Sequence, residues 1–232
     1  MSMEYKEGRA ALVALPEAAG TDAARGRVIA GYASHFEADE PDTYGDIVGR
    51  SAYDASLQVR PDVPILRMHA AERPIGKTTF LAPDQYGLLF RGELVNTPDA
   101  DEMLELIKAG LMQVSIGYRA TKSHTAVWKG KQVRMLDTID LFEISPVTFA
   151  ADSGTSVSMS KAAILERLAE AEYRILGDAA PLETKRLALL AEVNRFLESE
   201  DDNAPSLEQR RRMLDAEIAS VQADMERERA RL

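Results

Sequence analysis

The chain has 232 residues, of which 45% are hydrophobic and 28% charged, with a formal net charge of −10 at pH 7. That length allows one good-sized core and a smaller appendage. The acidic balance argues against broad nucleic-acid binding, and the absence of cysteine excludes disulfides, Cys-ligated zinc and thiol nucleophiles. No apolar run is long enough to span a membrane, and MSMEYKEGRAALVALPEA lacks the basic flank and apolar stretch of a secretory signal. A chain free of cysteine fits a reducing compartment such as cytoplasm.

Up to about Val157, short apolar clusters alternate with turn signals at Pro41-Asp42, Tyr44-Gly45-Asp46, Pro83-Asp84 and Lys129-Gly130. Strands are expected over Val28–Phe36, Val63–Met68, Gly87–Leu94, Met112–Ala120, Lys131–Leu136 and Ile139–Phe149. A short helix is expected over Gly49–Val59. A better-marked one follows Thr97, with Pro98 at its first position, Asp99 and Asp101 near its positive end, Met103, Leu104 and Ile107 on its apolar face, and Gly110 as its stop. Many strands with few helices predict a β-rich α+β domain.

After Ser160 the pattern turns helical. Ile164, Leu168, Ala171 and Ile175 share one face, and Leu190, Val193 and Leu197 continue the theme beyond a break at Gly177–Pro181. Ser206 and Gln209 form a capping-box pattern, and Leu214, Ile218, Val221 and Met225 repeat at the spacing of a coiled-coil seam. The expected division is therefore a domain over residues 1–157 and a helical tail over 158–232, available for scaffolding or oligomerisation.

Three histidines, His35, His69 and His124, limit the chemistry. HExxH, EF-hand, GxxxxGK[ST], GxGxxG and G-x-S-x-G patterns are all absent, so no metal site and no cofactor are expected. His69 follows the apolar run Val63–Leu66, at a strand mouth where an imidazole can act as a general base. In LMQVSIGYRA, alternation puts Val114, Ile116 and Tyr118 on one face and Ser115, Gly117 and Arg119 on the other; a serine on a strand is rigidly held, and Gly117 leaves room beside it. Glu143 sits among hydrophobic residues in DTIDLFEISPVTF, where a carboxylate needs a partner such as an imidazole. Each residue also has an ordinary use: a strand serine, a rim histidine, a salt-bridged glutamate.

Several blocks of the sequence resemble the prohead proteases of tailed phages. They are GYASHF with DTYGDIV (Gly31–Phe36, Asp42–Val48), MHAAERPIGK (Met68–Lys77), GLLFRGEL (Gly87–Leu94), ADEMLELIKAGLMQVSIGY (Ala100–Tyr118) and DLFEISPVTFAA (Asp140–Ala151). The resemblance implies a serine endopeptidase with His69 as base, Ser115 as nucleophile and Glu143 as the acidic third member, Asp140 being the reserve. Gly117, Arg119, Asp140 and His35 are the expected site-lining residues. The fold implied is an assemblin-like closed β-barrel surrounded by helices, here followed by the helical tail.

The same resemblance implies partners: a major capsid protein or scaffold protein, and the chain itself, through self-processing and as a homo-oligomer. From composition, the small and polar stretch ADSGTSVSMSKAA after Ala150 reads as a linker that a protease groove could admit. No nucleic-acid or membrane partner is implied, and the place of action would be the host cytoplasm, inside the prohead. The chain departs from the family pattern at Ala70, at Arg67 and Met68, and at Ser51-Ala52-Tyr53. The competing expectations are a non-catalytic assembly factor that keeps the protease fold, and a protease of a mobile element with no capsid partner.

Overall fold

The structure is a computed structural model that describes residues 4–8, 12–14, 27–148 and 161–177, with 180, 184 and 188. The chain divides into two units, Met1–Lys161 and Ala162–Leu232. In the first, the strands are β1 (Glu4–Gly8), β2 (Leu12–Ala14), β3 (Val28–His35), β4 (Asp46–Val48), β5 (Pro64–Leu66), β6 (Pro74–Pro83), β7 (Gly87–Leu94), β8 (Gln113–Trp128) and β9 (Lys131–Val147). Helices α1 (Asp54–Val59) and α2 (Pro98–Lys108) complete it among the described residues.

The expected closed barrel does not form. The sheet runs β1-β8-β9-β5-β6-β7-β3-β2, with β4 beside β9. Closure requires the first and last strands to pair with each other. Among the described residues β1 pairs only β8 and β2 only β3, so the sheet stays open. The α+β class holds; the closed wall and its ring of helices do not.

Strands β8 and β9 form the spine. The two segments expected as Lys131–Leu136 and Ile139–Phe149 are one strand, Lys131–Val147, which runs on through Asp137 and Thr138; Thr138 pairs with Lys122, and the register shifts at Asp137. The other expected strand, Met112–Ala120, runs on to Trp128. Lys129 and Gly130 join them with φ of 48° and 83°, the pair of positive angles of a two-residue turn whose twist suits a hairpin. The outer half of the hairpin is largely exposed, and Trp128 Nε1 donates to Ala38 O at 2.8 Å.

One edge of β9 belongs to β8. The other is shared: β4 pairs in parallel with Arg134–Leu136, and β5 pairs in parallel at Ile144. Between them α1 supplies what a strand would have supplied. Ile139 N donates to Ala52 O at 2.8 Å, Leu141 N donates to Ser56 Oγ at 2.9 Å, and Arg60 Nη1 donates to Leu141 O at 2.6 Å. The backbone groups of this buried stretch are thereby satisfied without a continuous partner.

Asp46 anchors the start of β4. Arg134 Nε and Nη2 grip its two carboxylate oxygens at 2.7 and 2.6 Å, and the Tyr118 hydroxyl donates to Oδ2 at 3.1 Å. Asp42 Oδ1 accepts from Tyr44 N and Asp46 N, and Gly45 takes φ of 80°, so the expected turn is an Asx-type loop. In α2, Thr97 Oγ1 accepts from Ala100 N at 3.4 Å, a cap worth about 1 kcal/mol. Ala100, Met103, Leu104 and Ile107 are its buried face, as the spacing predicts.

Strand β6 has no counterpart among the expected elements. Pro74, Gly76 and two threonines disguise it, and only Ile75, Thr78 and Ala82 are buried, with a bulge between Thr78 and Phe80. In the second unit α3 (Lys161–Leu176) buries Ile164, Leu168 and Ala171, while Ile175, expected on the same face, is exposed. Thr184 Oγ1 donates to Glu172 Oε2 at 3.1 Å. Leu190, Val193, Leu197, the Ser206 and Gln209 box, the Leu214–Met225 seam and the stretch after Ala150 lie outside the described residues.

Candidate active site

Residues directly opposite in an antiparallel ladder share a face of the sheet. Ser115 stands opposite Ser145, and Gly117 opposite Glu143, so these four residues of β8 and β9 form one patch. The next pair is Tyr118 with Leu141, which skips Phe142. Phe142 is the extra residue of a β-bulge. Without it, Leu141 and Glu143 would lie on the same face; with it, Leu141 joins Tyr118 in the core and Glu143 turns to Ser115.

Arg60 holds that bulge in shape: it donates to Leu141 O and sets its guanidinium 4.8 Å from the Phe142 ring centroid. Glu143 is buried, and a carboxylate there must be fully bonded. One oxygen, Oε1, lies 2.6 Å from His69 Nδ1; the other, Oε2, accepts from Ser145 Oγ at 2.6 Å. A carboxylate only accepts, so Nδ1 carries a proton, and in the neutral imidazole Nε2 is the nitrogen with a lone pair. The imidazole is nearly covered, its side chain 15% exposed.

His69 leaves the end of β5 through a strained turn. Met68 and His69 both take left-handed backbone angles, φ of 52° and 61°. For residues with a Cβ this costs about 1–2 kcal/mol apiece. Bonds to β9 offset it: Met68 N donates to Pro146 O at 3.3 Å, and His69 N donates to Ser145 Oγ at 3.1 Å. The loop then closes on itself, with Ala70 N donating to Arg67 O, Arg73 N to Ala70 O, and Arg67 N to Arg73 O.

Two arginines tie this loop to the first turns of α2. Arg67 grips Glu102 with both terminal nitrogens at 2.9 and 2.8 Å, and Arg73 grips Asp99 through Nε and Nη2 at 2.8 and 2.7 Å. The hydrogen bonds from Arg73 hold the Asp99 carboxyl below its usual range, and those from Arg67 do the same to Glu102. Both arginines are correspondingly pushed up by their carboxylate partners.

The expected site residues therefore separate. His69, Glu143, Ser115 and Gly117 come together. Asp140 does not: it pairs with Arg119, which lies opposite it on β8 and whose guanidinium sits 5.7 Å from the Phe142 ring centroid. Arg119 stays close to the patch along β8 but is committed to Asp140. His35 ends β3 and stacks on Tyr32, ring centroids 5.7 Å apart. His124 lies on the exposed half of the hairpin, 2.9 Å from Asp137 Oδ2. Ser145 is the residue that sequence reasoning missed. Its signal was its place two residues after Glu143, which alternation puts on the same face.

Such a patch can take a proton from a hydroxyl at Nε2 and hold the resulting imidazolium against a buried carboxylate, which is the division of labour of a serine hydrolase. Among the described residues no group of three or more His, Asp or Glu side chains is placed to hold a metal ion.

Residues 15–169 match the family model of the caudovirus prohead serine proteases. The chain belongs to that family. It is also similar to the prohead protease of Enterobacteria phage HK97, with 26% identity over 183 residues, covering 75% of this chain and 79% of that protein. Among solved structures it matches the capsid assembly protease of bacteriophage T4 with a TM-score of 0.43 and 10% identity, over 63% of this chain and 94% of that one. The varicella-zoster virus protease matches with a TM-score of 0.34 and 13% identity, over 81% of this chain and 96% of that one. In this member of the prohead protease family one departure before the histidine has a local use: the Arg67 guanidinium reaches Glu102 on α2.

Proposed function

We propose that the chain is a serine endopeptidase of capsid maturation in which Ser115 is the nucleophile, His69 the base and Glu143 the residue that orients the imidazole. The observation that carries this reading is the buried Glu143 carboxylate 2.6 Å from His69 Nδ1, on the face of the ladder that holds Ser115. His69 Nε2 takes the Ser115 proton as Oγ attacks the scissile carbonyl. The tetrahedral intermediate collapses, His69 protonates the leaving amine, and water, deprotonated by the same nitrogen, releases the acyl group from Ser115. Backbone amides are the proposed oxyanion donors, because Arg119 is engaged with Asp140.

The similarity to a phage prohead protease supports a substrate among assembly proteins: the scaffolding segment of a major capsid protein, a separate scaffold protein, or a second copy of this chain. The place of action would be the host cytoplasm, within the prohead. Residues 1–157 are the proposed protease domain and 158–232 the proposed scaffold or oligomerisation tail; the family match reaches residue 169, inside α3.

The test is co-expression with the candidate capsid protein, comparing wild type with Ser115→Ala by intact mass. Defined fragments present only with the wild type are expected. Identical masses together with no labelling of the wild type by a fluorophosphonate probe would overturn the reading in favour of an assembly factor that keeps the fold.

A further inference from the structure

We propose that Ser145 is a positioning residue for the reaction above, holding the base and its carboxylate in one arrangement through a single hydroxyl. The inference rests on the proposed roles of His69 and Glu143 and adds a residue to them. Ser145 has no exposed surface, and its Oγ is bonded on both sides: it donates to Glu143 Oε2 at 2.6 Å and accepts from His69 N at 3.1 Å.

Each bond does something the other does not. The bond to Oε2 fixes the rotation of the carboxylate, so that Oε1 points at Nδ1 rather than sharing the ring proton among several geometries. It also supplies the second partner that a buried carboxylate requires. The bond from His69 N holds the backbone of a residue with φ of 61°, directly after Met68 with φ of 52°. Two consecutive left-handed residues with side chains relax toward ordinary angles unless something over-determines them. The relaxation would carry the imidazole away from Ser115.

The geometry also separates the two serines of the patch. Ser115 and Ser145 face each other across the ladder. The Ser145 hydroxyl gives its one proton to Glu143, which leaves none for His69 Nε2 to abstract. Its job is therefore to orient, and that of Ser115 is to react.

The test uses the full chain with Ser145→Ala and Ser145→Thr. Two readouts are followed: fluorophosphonate labelling, in rate and final extent, and the imidazole nitrogen-15 shifts of His69. In the wild type one tautomer, protonated at Nδ1, is expected. Ser145→Ala should label to full extent but about tenfold to a hundredfold more slowly, the range for a lost hydrogen bond to a charged group. Its imidazole should become a mixture of tautomers. Ser145→Thr keeps the hydroxyl and should restore both readouts.

If Ser145→Ala lowers only the melting temperature or the extent of labelling, with rate per competent molecule and tautomer unchanged, the positioning role is overturned. A folded Ser145→Thr protein that behaves like the alanine variant overturns it as well. A wild type that is never labelled at Ser115 sinks the proposed reaction, while the tautomer comparison still decides the role of Ser145.

Discussion

Gly117 and Glu143 stand directly opposite each other on β8 and β9, and a Cβ on Gly117 would lie 2.4 Å from Glu143 Oε1, the oxygen that meets His69. No Cβ tolerates that distance, and the carboxylate is the atom group able to move. Gly117→Ala is therefore expected to swing Glu143 off the imidazole. Labelling of Ser115 should slow by at least about a hundredfold, with some fall in melting temperature because the buried carboxylate loses a partner. Wild-type labelling by a folded Gly117→Ala protein would show that the carboxylate is not needed there.

Glu143 and Asp140 make opposite predictions. Glu143→Gln keeps the shape but can present a donor to Nδ1, favouring the wrong tautomer, and should reduce turnover by about 10³–10⁴-fold. Asp140→Asn breaks only the pair with Arg119 and should leave turnover within about threefold, since half-exposed ion pairs contribute little. Fragment production from the capsid substrate, followed over time for both variants, checks this; a reversed order would return the third role to Asp140.

The bulge at Phe142 gives a third expectation. Arg60→Ala removes both the donor to Leu141 O and the cation over the ring. A strand freed of such constraints tends to regain period-two alternation, which would turn Glu143 away from Gly117. Activity should fall about tenfold or more, and the cross-strand contacts seen by NMR should change between residues 117 and 143 but not between 124 and 135. An unchanged 117–143 contact would show that the bulge does not depend on α1.

The loop that carries His69 is tied to α2 by carboxylates held below their usual range. A group whose folded value is depressed stabilises the fold above its unfolded value and loses that contribution as pH falls through the folded one. The clamp is thus fully present at neutral pH and lost on strong acidification. The double variant Asp99→Asn, Glu102→Gln should melt slightly below the wild type at pH 7, and the gap should close as pH falls below the usual carboxylate range and through the depressed values of the two groups. Because these pairs face solvent, about 0.5 M salt should narrow it too. A gap that persists at low pH would assign the effect to packing.

Much of this architecture was legible where one residue type carries one meaning. Thr97-Pro98 starts a helix, Lys129-Gly130 turns a hairpin, and the apolar spacing of α2 marks its buried face. The blocks around His69, Ser115 and Glu143 pointed to the patch. What could not be read was anything decided by pairing. The face of Glu143 depends on a bulge, and bulges leave no mark on period-two reasoning. Strand β6 is a central strand that carries no period-two signal, because only Ile75, Thr78 and Ala82 are buried along it and a bulge between Thr78 and Phe80 breaks the alternation. Openness was equally hidden, since whether β1 and β2 pair with each other is a property of the whole sheet and not of either segment.

The order in which the chain is made bears on the position of β1. Its partner is the stretch of β8 from Val114 to Tyr118, with Glu7 opposite Ser115. During synthesis the strand that emerges first must wait for a partner that emerges far later, whereas the hairpin of β8 and β9 can close as soon as its own turn is out. The patch holding Ser115, Gly117, Glu143 and Ser145 is built from this one hairpin, while its border with β1 joins segments far apart in the sequence. Ser115 thus lies on a strand with a neighbour close in sequence on one side and a distant one on the other, so the β1 side of the patch is the pairing whose closure costs more chain entropy.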